Sequence, residues 1–353
     1  MPPSVLIIAD DLTGALDSSV AFAGPGRSVL VARNPNAIPE LLSRAPDVLA
    51  INTASRECGA DEAAKRVAAA LAHLPVADIP MIMKKVDSRL KGNIAAEMAV
   101  LQAMPGARRI IAAPAIPAMG RRVTGGMLSG DGVSGPIDVA SRIGVPVEIP
   151  DAESDRDMNE LVASAGPGVL WVGARGLAFA LARAPRHPEP RPFRLHSPLM
   201  IVNGSRDPIT VAQVERLRAL TLLLDAPDGA VPATPGAELP LVLSISDGGG
   251  GLAGDAAGAR FCDGVSRLLR ALRPEALLVA GGESCNGILD RLDIRSLQVI
   301  AELRPGIPVS HAKAPWGNLQ LVTKSGGFGT PSLLAELFAE AMADSVDDEE
   351  DMR

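Results

Sequence analysis

Residues 5–19 read VLIIADDLTGALDSS: five apolar residues, then two adjacent carboxylates, Asp10 and Asp11, then a run with helical spacing. An unbroken apolar run of this length is the pattern of a strand covered on both faces, and a strand feeding straight into a helix opens a βα unit. The two acids sit at the junction. Like charges at the end of a buried strand are too costly to keep ionised unless they are solvated, paired, bound to a metal or held for a ligand. Asp11 also stands where a helix N-cap belongs, just before Thr13.

Outward from this stretch the same alternation continues. DVLAIN, MIMKK and RRIIAAPA read as further strands, and helical spacing recurs over 13–23, 60–72 and 94–104. The pattern predicts a mostly parallel sheet whose strand ends gather on one edge, where open α/β sheets bind ligands. Between 182 and 198 the chain reads ARAPRHPEPRPFRLHSP, dense in proline and arginine without apolar periodicity, as a connector does. Alternation then resumes with LMIVNG, PLVLSIS, EALLVAGG and LQLVTK as strands and helical spacing over 208–220, 255–272, 284–292 and 331–342. The expected fold class is therefore α/β: two α/β domains with mostly parallel sheets, over 1–185 and 199–343, joined by a linker at 186–198, with the active site in the interdomain cleft. Residues 344–353, DSVDDEEDMR, are acidic without an apolar face and are expected to form a disordered tail.

Composition narrows the function. A chain of 353 residues exceeds the usual size of a single core. Its net charge is -7, its aromatic content 2% and its tyrosine count zero, so it lacks both the basic footprint and the stacking platforms of a nucleic-acid binder. The first apolar run is too short to span a bilayer, and MPPS lacks the basic start of a secretory signal; no membrane association and a cytoplasmic location are expected. Cys58, Cys262 and Cys285 show no C-x-x-C spacing and the four histidines are scattered, so no metal-ligand set is assigned.

The chemistry concentrates at strand ends. A D-x-D-x-T phosphatase nucleophile is excluded, because the spacing is D-D-x-T and Ala9 stands where the first acid would be needed. KKVDSRLKGN, at 84–93, mixes cations, a carboxylate, a hydroxyl and an amide, which suits a small polyhydroxylated acid. Ser55 and Arg56 follow the second strand read here, and Gly120 and Arg121 the fourth. In the second half three glycine-rich loops follow strands: SISDGGGG from Ser244, VAGGES from Val279 and VTKSGGFGTP from Val322. Such loops can offer backbone N–H groups to phosphates, although neither G-x-x-x-x-G-K-[ST] nor G-x-G-x-x-G occurs in its proper context. A site for a polyhydroxylated acid on one domain and phosphate-cradling loops on the other fit phosphoryl transfer.

ADDLTGALDS, KKVDSRLKGN, GGES and TKSGGFG, in this order, resemble the four-carbon acid sugar kinase family. The resemblance implies an N-terminal sugar-acid-binding domain and a C-terminal nucleotide-binding domain. It also implies ATP- and Mg-dependent phosphorylation of the terminal hydroxyl of threonate, erythronate or 3-oxo-tetronate. By motif, Asp10, Asp11 and Asp87 are the candidate catalytic acids, with Asp10 or Asp11 expected as base or Mg-linked orienting group and Asp87 as the rival, and Thr13, Arg56, Lys84, Ser88, Asn93 and Arg121 the substrate-binding residues. Ser244, Gly281, Gly282, Glu283, Ser284, Lys324, Ser325, Gly326, Gly327 and Gly329 are the candidate nucleotide-binding residues. The chain departs from the family's usual D-S-T-L-R-G-N at Arg89 and Lys91, and Arg206 stands in a loop that usually reads G-S-x-S. Two other readings stay open at this point: a NAD-dependent hydroxy-acid dehydrogenase, and a sugar-acid or nucleotide sensor without turnover. The expected partner is a small-molecule sugar acid, and homo-oligomerisation is left open.

Overall fold

The structure, a computed structural model, describes every residue except 107, 108, 184–192, 234, 235, 237, 352 and 353, and describes side chains up to residue 343. The chain divides into two units, Met1–Pro190 and Arg191–Arg353. Most of the 186–198 linker therefore lies outside the described residues. Among the described residues no helix is long and apolar enough to cross a membrane.

The first unit runs β1 (Val5–Ala9), α1 (Leu12–Ser19), β2 (Val29–Ala32), α2 (Ile38–Ser43), β3 (Val48–Asn52), α3 (Ala60–Leu71), β4 (Met81–Lys85) and α4 (Ile94–Gln102). It continues with β5 (Arg109–Ala113), β6 (Arg121–Thr124), β7 (Met127–Gly130), β8 (Ile137–Asp138), α5 (Val139–Ile143), α6 (Asp155–Ser164), β9 (Val169–Gly173) and α7 (Arg175–Arg183). Its main sheet has the order β2-β3-β1-β4-β9-β5, and every pair is parallel. All five residues of β1 are buried, as an unbroken apolar strand under helices on both faces requires. β2 and β3 lie on one side of β1 and β4, β9 and β5 on the other. Asp10 and Asp11 thus leave the sheet where the strand order reverses, the crevice in which α/β sheets bind ligands. A small antiparallel sheet, β6-β7-β8, presents Arg121 at its start.

The second unit runs β10 (Leu199–Asn203), α8 (Pro208–Leu217), β11 (Leu222–Pro227), β12 (Leu241–Ser246), α9 (Gly254–Leu272), β13 (Ala276–Ala280) and α10 (Gly282–Arg291). β14 (Ser296–Arg304), β15 (Ile307–Ala314), β16 (Gly317–Lys324) and α11 (Leu333–Asp351) complete it. The order is β11-β12-β10-β13-β16-β15-β14, parallel as far as β16 and antiparallel beyond it. Here β10 is the reversal point, and Gly204–Asp207 follows it.

Both units carry strands that the apolar pattern does not reveal. β2 is four residues long, β11 is a sheet-edge strand with exposed leucine, and β14 alternates buried with half-buried residues and carries glutamine and glutamate. β15 has proline at its second position and a lysine within it. α11 extends to Asp351, so helix covers most of the 344–353 stretch.

Candidate functional site

In the first unit the acids are organised by one guanidinium. Arg56 Nε and NH2 donate to Asp10 Oδ2 and Oδ1 at 2.9 and 2.8 Å, and NH1 and NH2 donate to Asp11 Oδ2 and Oδ1 at 2.8 and 2.9 Å. The two carboxylates of the opening stretch are therefore bridged by a shared cation from the β3 loop. Asp11 also caps α1, accepting from Gly14 N at 2.9 Å and from Thr13 Oγ1 at 2.6 Å. A Cβ on Gly14 would collide with Asp11 Oδ1, which explains a glycine inside the first turn. Asp10 is 1% exposed and Asp11 23%. Burial pushes the Asp10 carboxyl upward, but Lys84, Arg56 and Lys85 outweigh it and hold the group below its ordinary value. Burial alone would lower Arg56, and its hydrogen bond to Asp10 and the charges of Asp11 and Asp10 raise it instead.

The other predicted residues surround this clamp. Asp87 Oδ1 accepts from the backbone N–H of Arg89 at 2.9 Å and of Lys91 at 3.4 Å, while Oδ2 lies 3.9 Å from Arg56 NH1. Asn93 donates its amide to the carbonyls of Ser55 at 2.9 Å and Cys58 at 2.7 Å, so it fixes the loop that carries Arg56. Arg121 NH1 donates to Ser88 Oγ at 2.7 Å and its Nε to the Asp131 carbonyl at 2.8 Å. Lys84 lies beneath this surface, near enough to act on Asp10: fully buried, it pairs with Glu97 Oε2 at 2.6 Å, and Glu97 also accepts from Ser55 Oγ. Glu97 is a part of the cluster that the sequence reading omits. Its signal is a carboxylate in the first turn of α4 on the apolar face that buries Ile94, Met98 and Leu101.

In the second unit the loops after β10, β13 and β16 and the first turns of α9 and α10 enclose a cavity of about 650 Å³. Neither α9 nor α10 has a side-chain N-cap, so their first N–H groups and positive dipole ends remain available to an anion. Gly281, with φ 106°, makes the tight turn into α10. A Cβ on Gly204 would overlap Ser284 Oγ, so glycine is what lets the β10 loop approach the start of α10. Gly281, Gly282, Glu283, Ser284 and Gly326 line this cavity.

The remaining predicted residues support the cavity from behind or beside it. Lys324 is buried and donates to Thr210 Oγ1 at 2.8 Å and to the Ser325 and Gly326 carbonyls at 3.1 Å each, bracing the last glycine loop. Burial lowers its ammonium from 10.5 to about 8. Ser244 accepts from Asn203 Nδ2 at 3.0 Å and lines a neighbouring cavity of about 320 Å³. A Cβ on Gly327 would lie 3.6 Å from Asp207 Oδ2, and Gly329, with φ 87°, fits against Leu333. The α9 wall, formed by Gly254, Gly258 and Cys262, is absent from the sequence reading. Small residues at intervals of four on one helix face are its signal.

Residues 5–135 match the model of a sugar-binding N-terminal domain, and residues 246–334 that of a nucleotide-binding C-terminal domain. The chain is 28% identical to a D-threonate kinase of Cupriavidus necator, across 97% of this chain and 99% of the relative. It is 27% identical to a 3-oxo-tetronate kinase of Pseudomonas fluorescens, across 93% and 94%. A solved structure from Salmonella typhimurium LT2 superposes with a TM-score of 0.74 at 20% identity, across 94% of this chain and 98% of that one, a likeness of fold.

Proposed function

This chain is a member of the four-carbon acid sugar kinase family, hence a phosphotransferase, and we propose that it moves the γ-phosphoryl group of ATP to the terminal hydroxyl of a four-carbon sugar acid. Threonate, erythronate and 3-oxo-tetronate are the acceptors considered, each giving the 4-phosphate. What carries the reading is the presence of two unlike sites on one chain. The first is a carboxylate and guanidinium cluster suited to hydroxyls and a carboxylate; the second is a cavity into which two uncapped helices point.

Bound ATP with Mg²⁺ supplies the phosphoryl group and neutralises charge on it. Among the described residues no group of three His, Cys, Asp or Glu forms a metal cage. That suits an ion carried mainly by phosphate oxygens and water, with Asp255 or Glu283 on the cavity wall as the carboxylate that would reach it.

The chain's own task is to orient the acceptor hydroxyl and take its proton. A carboxylate has about four lone-pair sites, and Asp11 has accepted four hydrogen bonds. Asp10 is buried against Arg56. Asp87 is 17% exposed, and its Oδ2 accepts no hydrogen bond among the described residues. Asp87 is therefore the favoured base, with Asp10 and Asp11 holding Arg56 in place. The test is ADP release from Mg-ATP across D- and L-threonate, D- and L-erythronate and their 3-oxo forms, with Asp87→Asn as control. Turnover of at least one acid, abolished in the variant, is expected; ATP binding with silence across the panel would overturn the substrate class.

A further inference from the structure

Stability alone does not explain the ion pair of Lys84 and Glu97. Both side chains are fully buried, Lys84 Nζ and Glu97 Oε2 are 2.6 Å apart, and neither atom meets another hydrogen-bond partner among the described residues. Two charges taken out of water give up hydration that their attraction hardly offsets, so an apolar pair of similar size would hold the fold as well or better. What the two ends of the pair reach accounts for it instead.

One end reaches the loop after β3. Asn93 and Glu97, at the N-cap and in the first turn of α4, are four residues apart and share a helix face. Asn93 Nδ2 donates to the carbonyls of Ser55 and Cys58, and Glu97 accepts from Ser55 Oγ. Just before these holds the loop passes through Ala54 at φ 49°, a left-handed conformation that alanine keeps only where its surroundings impose it. Ser55 N and Arg56 N then donate to the Asp10 carbonyl at 2.9 and 3.3 Å. The guanidinium that grips both aspartates thus leaves a loop that α4 fixes.

The other end reaches Asp10 from β4. Around that carboxylate stand Arg56 from the β3 loop, Lys84 and Lys85 from β4, and Asp11 beside it. Asp87 lies 3.9 Å from Arg56, and a Cβ on Gly92 would lie 3.0 Å from Asp10 Oδ2, so loop backbone closes over the carboxylate. Burial pushes Asp10 upward, and Lys84, Arg56 and Lys85 bring it down. Lys84 acts there as a cation with Glu97 as its counter-charge.

We propose that Glu97 is the positioning residue of the acid cluster: it holds Arg56 through Ser55 and keeps Lys84 beneath Asp10, so that the acceptor meets a preset group of carboxylates and guanidinium. Glu97 itself touches no acceptor. The proposal rests on the kinase reading for the acceptor's class.

The experiment is calorimetric binding of D- and L-threonate and D- and L-erythronate from pH 5 to 8, with urea midpoints, ATP affinity and ADP release, for wild type and three variants. Ser55→Ala cuts the tether to the loop and keeps the ion pair. Lys84→Met with Glu97→Gln keeps an oxygen for Ser55 and removes the charge beneath Asp10. Lys84→Met with Glu97→Leu removes both. Ser55→Ala is expected to lower acid affinity about tenfold to a hundredfold, the range of a hydrogen bond to a charged group, with its pH dependence unchanged. The glutamine double variant is expected to lose acid binding at a higher pH than wild type, because Asp10 is then protonated more readily. The leucine double variant should combine the two losses while its urea midpoint stays at or above that of wild type. ATP affinity should be unchanged throughout. Wild-type affinity and pH dependence in the leucine variant would overturn the proposal alone, as would losses that only track the urea midpoint. Binding of none of the acids by wild type would overturn the substrate class and the proposal with it. The expected losses without ADP release from wild type would uphold the positioning role and overturn the kinase reading.

Discussion

Arg56 and Asp11, 45 residues apart in sequence, meet through two hydrogen bonds of 2.8 and 2.9 Å, and the same guanidinium grips Asp10. Removing it strands a buried charge. Arg56→Met is expected to destabilise the first unit by roughly 3 kcal/mol at pH 7, as loss of one partner from a buried ion pair does. The sign of the pH dependence follows from Asp10, whose folded pKa lies below the unfolded value of 3.8. Its contribution is complete above that value and is lost as pH falls through the folded one. In the variant, burial is opposed by Lys84 and Lys85 alone, so Asp10 is protonated at a higher pH than in wild type and the gap between the two should narrow in acid. Urea midpoints at pH 7 and pH 4 would check this, and a gap that widens in acid would contradict it.

Asp87→Asn keeps an oxygen for the Arg89 and Lys91 N–H groups and removes only basicity. A fall in kcat of about a hundredfold to ten-thousandfold is expected, with KM for the acid changed far less. Steady-state kinetics on whichever acid is turned over gives the answer. Asp11→Asn should instead alter acid KM and stability together, because Asp11 holds both a helix cap and Arg56.

Gly204→Ala drives a methyl group into Ser284 Oγ at the wall of the larger cavity. ATP affinity should fall by about tenfold or more while acid binding persists, since the change lies within the second unit. Fluorescent nucleotide titration beside acid calorimetry separates these. Equal loss of both ligands would point to general unfolding.

Lys324 is buried as a cation whose pKa is lowered from 10.5 to about 8. In that interval the unfolded chain binds more protons than the folded one, so stability rises with pH across it, by ~3 kcal/mol in total from this group. Lys324→Met should flatten the rise. Urea unfolding from pH 7.5 to 10, followed by Trp316 emission in a Trp171→Phe background, measures the slope.

The strands that carry chemistry were legible because they are buried on both faces and end in polar clusters, as VLIIADD and MIMKK do. β14 and β15 were not, since half-exposed strands lack an unbroken apolar run, and β2 and β9, though apolar and buried throughout, are short runs that end in no polar cluster to mark them. The acid cluster was readable as a set of residue types, but its internal logic was not. Nothing in the spacing reveals that Lys84 turns inward to Glu97, or that Asn93 works on carbonyls of the Arg56 loop. Those are long-range pairings decided by packing. The glycine loops pointed to the cavity, whereas the α9 wall was hidden because its small residues bear no chemistry of their own.

The Arg56 clamp also bears on the order of events when the chain folds. Its partners are separated by 45 and 46 positions and Asn93 reaches Ser55 across 38, so local helix formation cannot assemble the site. It comes into being only once β1, β3 and β4 lie side by side, and closing such long loops is slow. Regain of acid binding after dilution from denaturant should therefore lag behind the recovery of helical signal, which makes the ligand a late-stage clock for the first unit.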